Sequence, residues 1–325
     1  MNDSLSTMSA VPAWASFFTG EQYVIFLALI EDDLRQRQLA FTVADGVVHV
    51  RMVDDEEHRL GLQNLAQVCH HRDVRNWESV IESHFSTMLA RRADESESRE
   101  IEAHRDALKV RLYPDIFPEG MNPVSTPVAP GVAAVLTLDL PDTIETVSAD
   151  QAARWGRPVD ELLAQGIENA LGETVEHATI DCGNGATLQM LEGESFFVTT
   201  QVLELGDWLP HDLPHGALVA MPNRHLLLFH PIEDLSVVNV ITTMLHCTQQ
   251  AYRQGPGSLS RDLYWWRDGH LSLLPSHEED GRFTFTPPSD FLSCLESLAN
   301  PSLRSRPGVT SCGRASAWQA FAGSP

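Results

Sequence analysis

The sequence predicts an α+β fold with mixed, largely antiparallel sheets flanked by helices and divided into two α/β subdomains. Apolar residues recur every three or four positions in several long segments, which is typical of helices with one buried face. Shorter segments alternate apolar and polar residues around Asp-Gly or Asn-Gly turns, which is typical of antiparallel hairpins. The chain has 325 residues, 43% of them hydrophobic, so it can form one large core or two ordinary ones.

The first half of the chain is predicted to combine helices with one hairpin. Thr19 and Gln22 occupy the two positions of a capping box at the start of the first helix. Asp45-Gly46 supplies the tight turn of a hairpin over residues 41–50. Three segments have helical spacing: residues 21–38, 60–69 and 77–91.

The second half is predicted to alternate helices and hairpins. Ser148 and Gln151 form a capping box, Gly156 ends that helix, and Pro158 begins the next one. Residues 195–208 fit either a strand, because of their β-branched residues, or a helix, because of their apolar spacing. A long helix is expected at 234–254. Strands are expected at 132–140, 177–181, 186–191, 216–221, 225–230, 263–266 and 270–274. Residues 282–286 are expected to add a third strand to the last pair.

Composition predicts the domain boundaries. Prolines are frequent between residues 114 and 131, where they resist both helix and central strand. The alternative is one domain with a long extended connection, because residues 110–113 and 132–140 both resemble strands that could share a sheet. The predicted organisation is a disordered N-terminus (1–15), an N-terminal α+β domain (16–113), a Pro-rich linker (114–131), a C-terminal α+β domain (132–300) and a disordered tail (301–325).

Net charge is the strongest compositional signal. The chain has 45 acidic and 22 basic residues, a formal charge of −23. Nucleic-acid binding depends on cationic side chains that displace counterions from phosphates, so this charge disfavours a nucleic-acid partner. It would instead attract a basic protein partner and accelerate the encounter, unless acidity serves only to keep the protein soluble.

Cysteine usage and hydropathy predict a cytoplasmic protein. The five cysteines are scattered singly without a C-x-x-C pair, so neither a disulfide framework nor a zinc knuckle is indicated. The apolar run at residues 23–30 is too short for a signal peptide and is followed by three acidic residues. No stretch approaches the roughly 18 to 20 apolar residues of a membrane-spanning helix, so no membrane contact is expected.

Motifs predict no catalytic residue, cofactor or metal site. The glycine motifs that bind phosphates of nucleotide cofactors are missing. Ser195 lies in a segment similar to G-x-S-x-G, but Phe197 stands where the second glycine belongs, so a capping role is favoured over a nucleophile. Neither of two histidine groups has a ligand at a metal-binding offset, so solvated or capping histidines are favoured. These groups are His211 with His215, and His70-His71 with Asp73.

Five residues are candidates for binding: Asn223, Arg224, Tyr264, Trp265 and Trp266. Arg224 follows Asn223 in a predicted hairpin turn and could pair with a carboxylate of this chain or of a partner, although a solvated turn arginine is the favoured interpretation. Trp265 and Trp266 are neighbours on a strand and therefore point to opposite faces. A core or sheet-covering role is favoured for both, and the alternative is that one indole is exposed as a contact anchor.

Several segments resemble those of a known family, and they follow one another in the same order over roughly residues 60–275. They include Leu138-Asp139-Leu140-Pro141, Trp155-Gly156, Val219 to Arg224, Leu263-Tyr264-Trp265 and Asp268-Gly269. In these segments the chain resembles the domain of unknown function 1444 family, the bacterial proteins related to YtpQ. The resemblance implies an intracellular bacterial protein of mixed α/β architecture and brings no activity or catalytic residues with it. The longer N-terminal region and the tail depart from the family.

Two hypotheses of function follow from these observations. The favoured one is a non-enzymatic binding, regulatory or immunity-type factor whose acidic faces engage a basic protein partner. The alternative is an enzyme, a hydrolase or transferase with histidine and carboxylate side chains from different strands. A deep pocket in which His225, His230 or His211 converge would indicate that enzyme. The oligomeric state is left open.

Overall fold

The computed structural model describes residues 11–44, 46–51, 57–92, 101–117, 120–140, 143–183, 186–279 and 282–299. These residues form helices and antiparallel sheets, which confirms the predicted α+β class. The chain divides into two compact units, residues 1–97 with 254–257 and residues 98–253 with 258–325. None of the helices within these described ranges is both long and apolar enough to cross a membrane.

The first unit packs helices on a three-stranded sheet of order β1-β2-β3. Its elements are α1 (Gly20–Gln36), β1 (Ala40–Ala44), β2 (Val47–Arg51), β3 (Glu57–Gly61), α2 (Gln63–His70) and α3 (Trp77–Arg92). The predicted capping box is present, because Thr19 Oγ1 accepts the N–H of Gln22 and the Gln22 side chain accepts the N–H of Thr19. The predicted helices and hairpin are confirmed, whereas β3 was not predicted.

The second unit contains two larger sheets and one hairpin. Its strands are β4 (Leu108–Pro114), β5 (Ser125–Ala129), β6 (Val132–Leu140), β7 (Thr143–Thr146), β8 (Glu176–Asp181), β9 (Thr187–Glu192), β10 (Ala217–Asn223), β11 (Leu226–Pro231), β12 (Leu263–Arg267), β13 (His270–Leu274), β14 (Ser276–Glu279) and β15 (Arg282–Phe285). Its helices are α4 (Ala149–Trp155), α5 (Val159–Leu171), α6 (Val237–Gln254) and α7 (Ser289–Ala299). The six-stranded sheet has the order β13-β12-β10-β11-β9-β8, and β4-β6-β5 with β7 form the four-stranded sheet.

Both faces of the six-stranded sheet are buried. Val219 and Tyr264 belong to a core cluster shared with the four-stranded sheet and α5. Leu218 and Trp265 belong to a second cluster that includes residues of α6 and α7. Successive strand residues point to opposite faces, so a sheet covered on both sides needs apolar residues at every position. This explains why β10 is buried along its whole length.

The Pro-rich segment 114–131 is not a linker between domains. Strand β4 before it pairs with β6 after it, from Leu108 opposite Leu138 to Pro114 opposite Val132, and β5 lies inside the segment itself. The division between the units falls at residues 97 and 98 instead. The boundaries predicted at 16–113 and 132–300 are therefore wrong, and the alternative of strands that share one sheet is confirmed. Prolines are tolerated here because β5 is an edge strand.

Several further predictions need correction. Residues 195–208 contain neither strand nor α-helix but a 3₁₀ segment at Val198–Trp208. The strand near residue 282 pairs with β14 in a separate two-stranded sheet rather than extending the hairpin before it. Residues 11–15 are ordered, with Ala15 fully buried, whereas the expected disorder at 1–10 and 301–325 lies outside the described residues. Helix α7 was not predicted.

Candidate functional site

Strand β4 presents two basic side chains on one face. Every second residue of the strand joins the hydrophobic core, so Lys109, Arg111 and Tyr113 project from the opposite face. Lys109 has counter-charges there, because its Nζ lies 2.7 Å from Asp139 Oδ2 and also contacts the carboxylate of Glu173. Burial opposes the charge of Lys109, but the hydrogen bonds to these carboxylates outweigh it and raise the pKa of Lys109. Arg111 forms no ion pair with a carboxylate of the described residues.

The turn between β10 and β11 holds Arg224 in place. Asn223 Oδ1 accepts the backbone N–H of His225 at 2.9 Å, and Asn223 Nδ2 donates to the carbonyl oxygen of Ala251 at 3.1 Å. An Asn side chain that bonds to the backbone two residues on commonly closes a tight turn. Asn223 is buried, so its side chain fixes the turn rather than meeting a ligand.

Arg111 and Arg224 both contact the ring of Phe196. The guanidinium carbon of Arg224 lies 4.2 Å from the centre of that ring, and the guanidinium carbon of Arg111 lies 5.9 Å from it. Arg111 also stacks on Tyr113, at 4.5 Å from the ring centre. Phe196 lies between β9 and the 3₁₀ segment, so three distant parts of the chain meet here. We name Arg111, Tyr113, Phe196, Arg224 and His225 the arginine site.

The two arginines are buried without a counter-charge from the residues that the structure describes. Arg111 is 7% exposed and Arg224 is 9% exposed. Neither forms an ion pair with any carboxylate of the described residues, and Arg111 Nε is a buried donor without a hydrogen-bond partner among them. Burial, and then the charge of Arg111, lower the pKa of Arg224 to about 10. Buried charges are normally paired, so this arrangement concentrates positive charge in a protein that is otherwise acidic.

His225 orients Arg224 and remains neutral. Arg224 Nε donates to His225 Nε2 at 2.9 Å, and His225 Nδ1 lies 3.1 Å from the carbonyl oxygen of Gly193. A carbonyl oxygen only accepts, so this network assigns the ring proton to Nδ1. Burial, and then the charge of Arg224, lower the pKa of His225. Both ring nitrogens are engaged, so neither is open to exchange a proton with a substrate.

This geometry is suited to bind an anion. Guanidinium groups bind carboxylate and phosphate oxygens with parallel N–H donors, and such charge-assisted hydrogen bonds are the strong ones in proteins. A bound anion would provide the counter-charge that the described residues do not supply. The same positive charge disfavours a metal cation at this place.

The three aromatic candidates have structural roles. Tyr264 is fully buried, and its hydroxyl oxygen lies 2.9 Å from both Ser260 Oγ and the carbonyl oxygen of Pro130. Trp265 is 4% exposed and donates from Nε1 to the carbonyl oxygen of His215 at 2.8 Å. Trp266 is half-buried against the first core cluster. The pair thus points to opposite faces, as expected, and both faces are covered. Among the five predicted binding residues only Arg224 belongs to the arginine site.

The structure does not bring the three histidines of the enzyme hypothesis into a common hydrogen-bond network. His230 is buried and its Nδ1 lies 2.6 Å from the carbonyl oxygen of Thr187, while His211 is exposed. An open groove of about 370 Å³ contains none of them; it is lined by Asp115, Pro127, Val128, Ala129, Pro130, His270 and Leu271. Ser195 Oγ accepts the N–H of Phe197 at 3.2 Å, a local role of the kind expected.

Neither proposed histidine group is part of a metal centre in the described part of the chain. No group of three or more metal-ligating side chains occurs among those residues. Asp73 instead accepts hydrogen bonds from Arg75, and His71 Nε2 contacts the carbonyl oxygen of Gln254.

Sequence reasoning missed Arg111, Tyr113 and Phe196. A signal was present, since the alternation of Lys109, Arg111 and Tyr113 along a predicted strand places them on one face. Because a strand face with two cations ordinarily faces solvent, the pattern alone does not indicate burial.

The chain was compared with protein-family models, curated protein sequences and solved structures, and none of the three comparisons gave a match. The resemblance to the domain of unknown function 1444 family therefore stays a prediction.

Proposed function

We propose that this chain is a non-enzymatic binding protein that recognises an anionic group through Arg111 and Arg224. One observation carries the proposal: two arginines that contact the same ring, Phe196, are each at least nine-tenths buried and form no ion pair with the described residues. Taking an unpaired cation out of water costs several kcal/mol in proteins, on the order of 3 to 5 when a buried charge is left without its partner. An anionic ligand would offset this cost by supplying the missing negative charge.

The proposal favours binding over catalysis because the side chains around the arginines are already engaged. His225 has both ring nitrogens in hydrogen bonds, and Ser195 Oγ accepts a backbone N–H. A general base or a nucleophile needs a free atom within hydrogen-bond reach of the substrate. The described residues of the site thus have the donors to hold an anion, and His225 has no free ring nitrogen to act as a general base.

Inorganic phosphate and acetate are suitable first probes. Each salt is added to the purified full chain and compared with sodium chloride at the same ionic strength, and the thermal midpoint of unfolding is recorded. A ligand present at tenfold its Kd stabilises a protein by about 1.4 kcal/mol, which raises the midpoint by about 3 to 6 °C for a unit of this size.

Arg111→Met and Arg224→Met are expected to abolish this shift. Arg253→Met is the matched control, because Arg253 is exposed and paired with Glu278 at 2.6 Å on the surface; it should keep the shift. If neither salt stabilises the wild type beyond chloride, or if all three variants respond like the wild type, the proposal is wrong.

A second candidate function is the docking of a basic protein partner on the acidic surface. The formal charge of −23 favours it, and six of the described basic residues are already paired with carboxylates of the chain, which reduces the cationic surface further. A long-range field of this kind accelerates association with a cationic partner. This function does not involve the arginine site and can hold independently of it.

Decalysine and decaglutamate peptides test this second candidate. Decalysine is expected to bind and to lose most of its affinity when salt rises from about 50 mM to about 500 mM, because surface charges are screened beyond a Debye length. Decaglutamate should not bind. Binding of decalysine that does not change with salt would contradict the idea.

A further inference from the structure

We infer that the ligand of the arginine site is a phosphomonoester dianion, a tetrahedral group with two negative charges. This inference rests on the proposed anion-binding function and names the ligand class for it. It follows from the charge, the free donors and the surroundings of Arg111 and Arg224.

The charges of the two arginines favour a ligand with two negative charges. Arg111 and Arg224 bring two cations into a buried place, and the carboxylates of Asp139 and Glu173 are already paired with Lys109 two residues before Arg111. A monoanion would leave one buried cation uncompensated, whereas a dianion neutralises both. A phosphomonoester carries about 1.5 to 2 negative charges near neutral pH, which matches the site.

The count of free donors also favours phosphate over carboxylate. A guanidinium has five N–H donors. Arg111 uses none of its five in a hydrogen bond to the described residues, and Arg224 uses one, at Nε, toward His225. A carboxylate has two oxygens with about four acceptor positions, whereas the three terminal oxygens of a phosphomonoester accept more bonds. Nine free donors are better matched by the second group.

The aromatic rings leave the donor edges of the guanidiniums for the ligand. Phe196 and Tyr113 stack on the guanidinium groups, at 4.2 Å for Phe196 with Arg224 and 4.5 Å for Tyr113 with Arg111. Stacking occupies the flat faces, while the N–H groups lie in the guanidinium plane and stay free for oxygens. Phe196 is 39% exposed, so it forms the part of the site that reaches solvent.

The overall charge restricts the size of the ligand. A formal charge of −23 repels an extended polyanion such as a nucleic acid, whose binding needs many cationic contacts. A single phosphoryl group meets only the local positive charge. A phosphoryl group on a small molecule and one on a basic peptide share this chemistry, and the peptide would also gain from the acidic surface.

Four phenyl compounds separate charge from shape at pH 8. Phenyl phosphate is the tetrahedral dianion, benzenesulfonate and methyl phenyl phosphate are tetrahedral monoanions, and benzoate is a planar monoanion. Isothermal titration of the full chain is expected to give phenyl phosphate a Kd at least about tenfold lower than the other three, as for a second charge-assisted contact. In Arg111→Met this preference should disappear, and Arg111→Lys should restore part of it because the charge returns.

The outcomes separate the two proposals. If a monoanion binds as tightly as phenyl phosphate and Arg224→Met abolishes both, the dianion inference is overturned while anion binding stands. If none of the four binds, both fall. Two further arms, free phosphoserine and a phosphoserine peptide flanked by lysines, identify the source once the dianion is preferred. Equal affinity indicates a small molecule, and a tighter peptide indicates a phosphorylated protein.

Discussion

Arg111→Met is expected to stabilise the ligand-free protein, although most changes of buried residues destabilise. The pKa of Arg224 is lowered from 12.5 to about 10 by burial and then by Arg111, a difference worth about 3 kcal/mol against the charged form. Arg111 is the smaller of these two causes, so its removal should return about 1 kcal/mol. Relief of its own burial adds to this, and loss of the contact with Tyr113 offsets about 0.5 to 1 kcal/mol. The net expectation is a gain of about 1 kcal/mol.

Lys109→Met is the matched control on the same strand face. Lys109 is half-buried, with 14% of its side chain exposed, and unlike Arg111 it is paired with Asp139 and Glu173. Its removal leaves two half-buried carboxylates without a cation, which should lower the free energy of unfolding by about 2 kcal/mol. The two substitutions are thus expected to have opposite signs.

Urea unfolding in a buffer free of phosphate and sulfate measures both effects. Far-UV circular dichroism follows the unfolding of the whole chain, and linear extrapolation gives the free energy of unfolding in water. If Arg111→Met lowered this free energy by 1 kcal/mol or more, Arg111 would have a counter-charge and the reasoning would fail. If Lys109→Met had the same free energy of unfolding as the wild type, the expected opposite effects of the two substitutions would also be contradicted.

Three further predictions concern the histidines and the core. Burial lowers the pKa of four histidines below the ordinary 6.5, so between those lowered pKa values and 6.5 the unfolded chain binds more protons than the folded chain. The four histidines are His70, His84, His225 and His230. The contribution of these histidines to stability should therefore be complete above about pH 6.5 and fall as the pH drops below it. Urea midpoints measured from pH 8 to pH 5 test this. A midpoint that rises on acidification would contradict this sign. His225→Leu removes the acceptor of Arg224 Nε and should weaken phenyl phosphate binding about tenfold. His225→Gln keeps an acceptor and should retain most of the affinity. An equal loss of affinity in both variants would indicate a purely structural role for His225. Trp265→Ala should lower the free energy of unfolding by about 3 to 5 kcal/mol, because Trp265 is 4% exposed and its ring centre lies 5.3 Å from that of Phe291. A loss below about 1 kcal/mol would show that the core does not depend on the indole.

Sequence patterns predicted elements well where the signal is local. The capping box at Thr19, the glycine stop at Gly156 and the hairpin around Asp268-Gly269 are set by residues within a few positions of one another, and all three are present. The segment 195–208 was ambiguous because its apolar spacing satisfies two periods at once, and it became 3₁₀ by packing in the core. Prolines suggested a linker at 114–131, because local composition does not report that β4 and β6 pair across it.

The candidate site was predicted only in part. Arg224 was identified as a binding candidate because it lies in a predicted turn. Asn223, the candidate before it, closes that turn through its side chain. Tyr264 and Trp265 were candidates because aromatic pairs often anchor contacts, yet both are buried. Whether an aromatic side chain faces solvent or a second layer depends on what packs on the sheet, and a single strand does not encode this.

The sequence by itself determined the α+β class, the acidic charge and most helices and hairpins, since these depend on composition and on neighbours a few residues apart. Only the tertiary structure decided that Arg111 and Arg224 lie close to the same ring, because Arg111 belongs to β4, Arg224 belongs to the turn between β10 and β11, and Phe196 belongs to a third segment. The same packing buries both arginines to at least nine-tenths, and a buried charge, unlike one at the surface, is normally paired with a counter-charge.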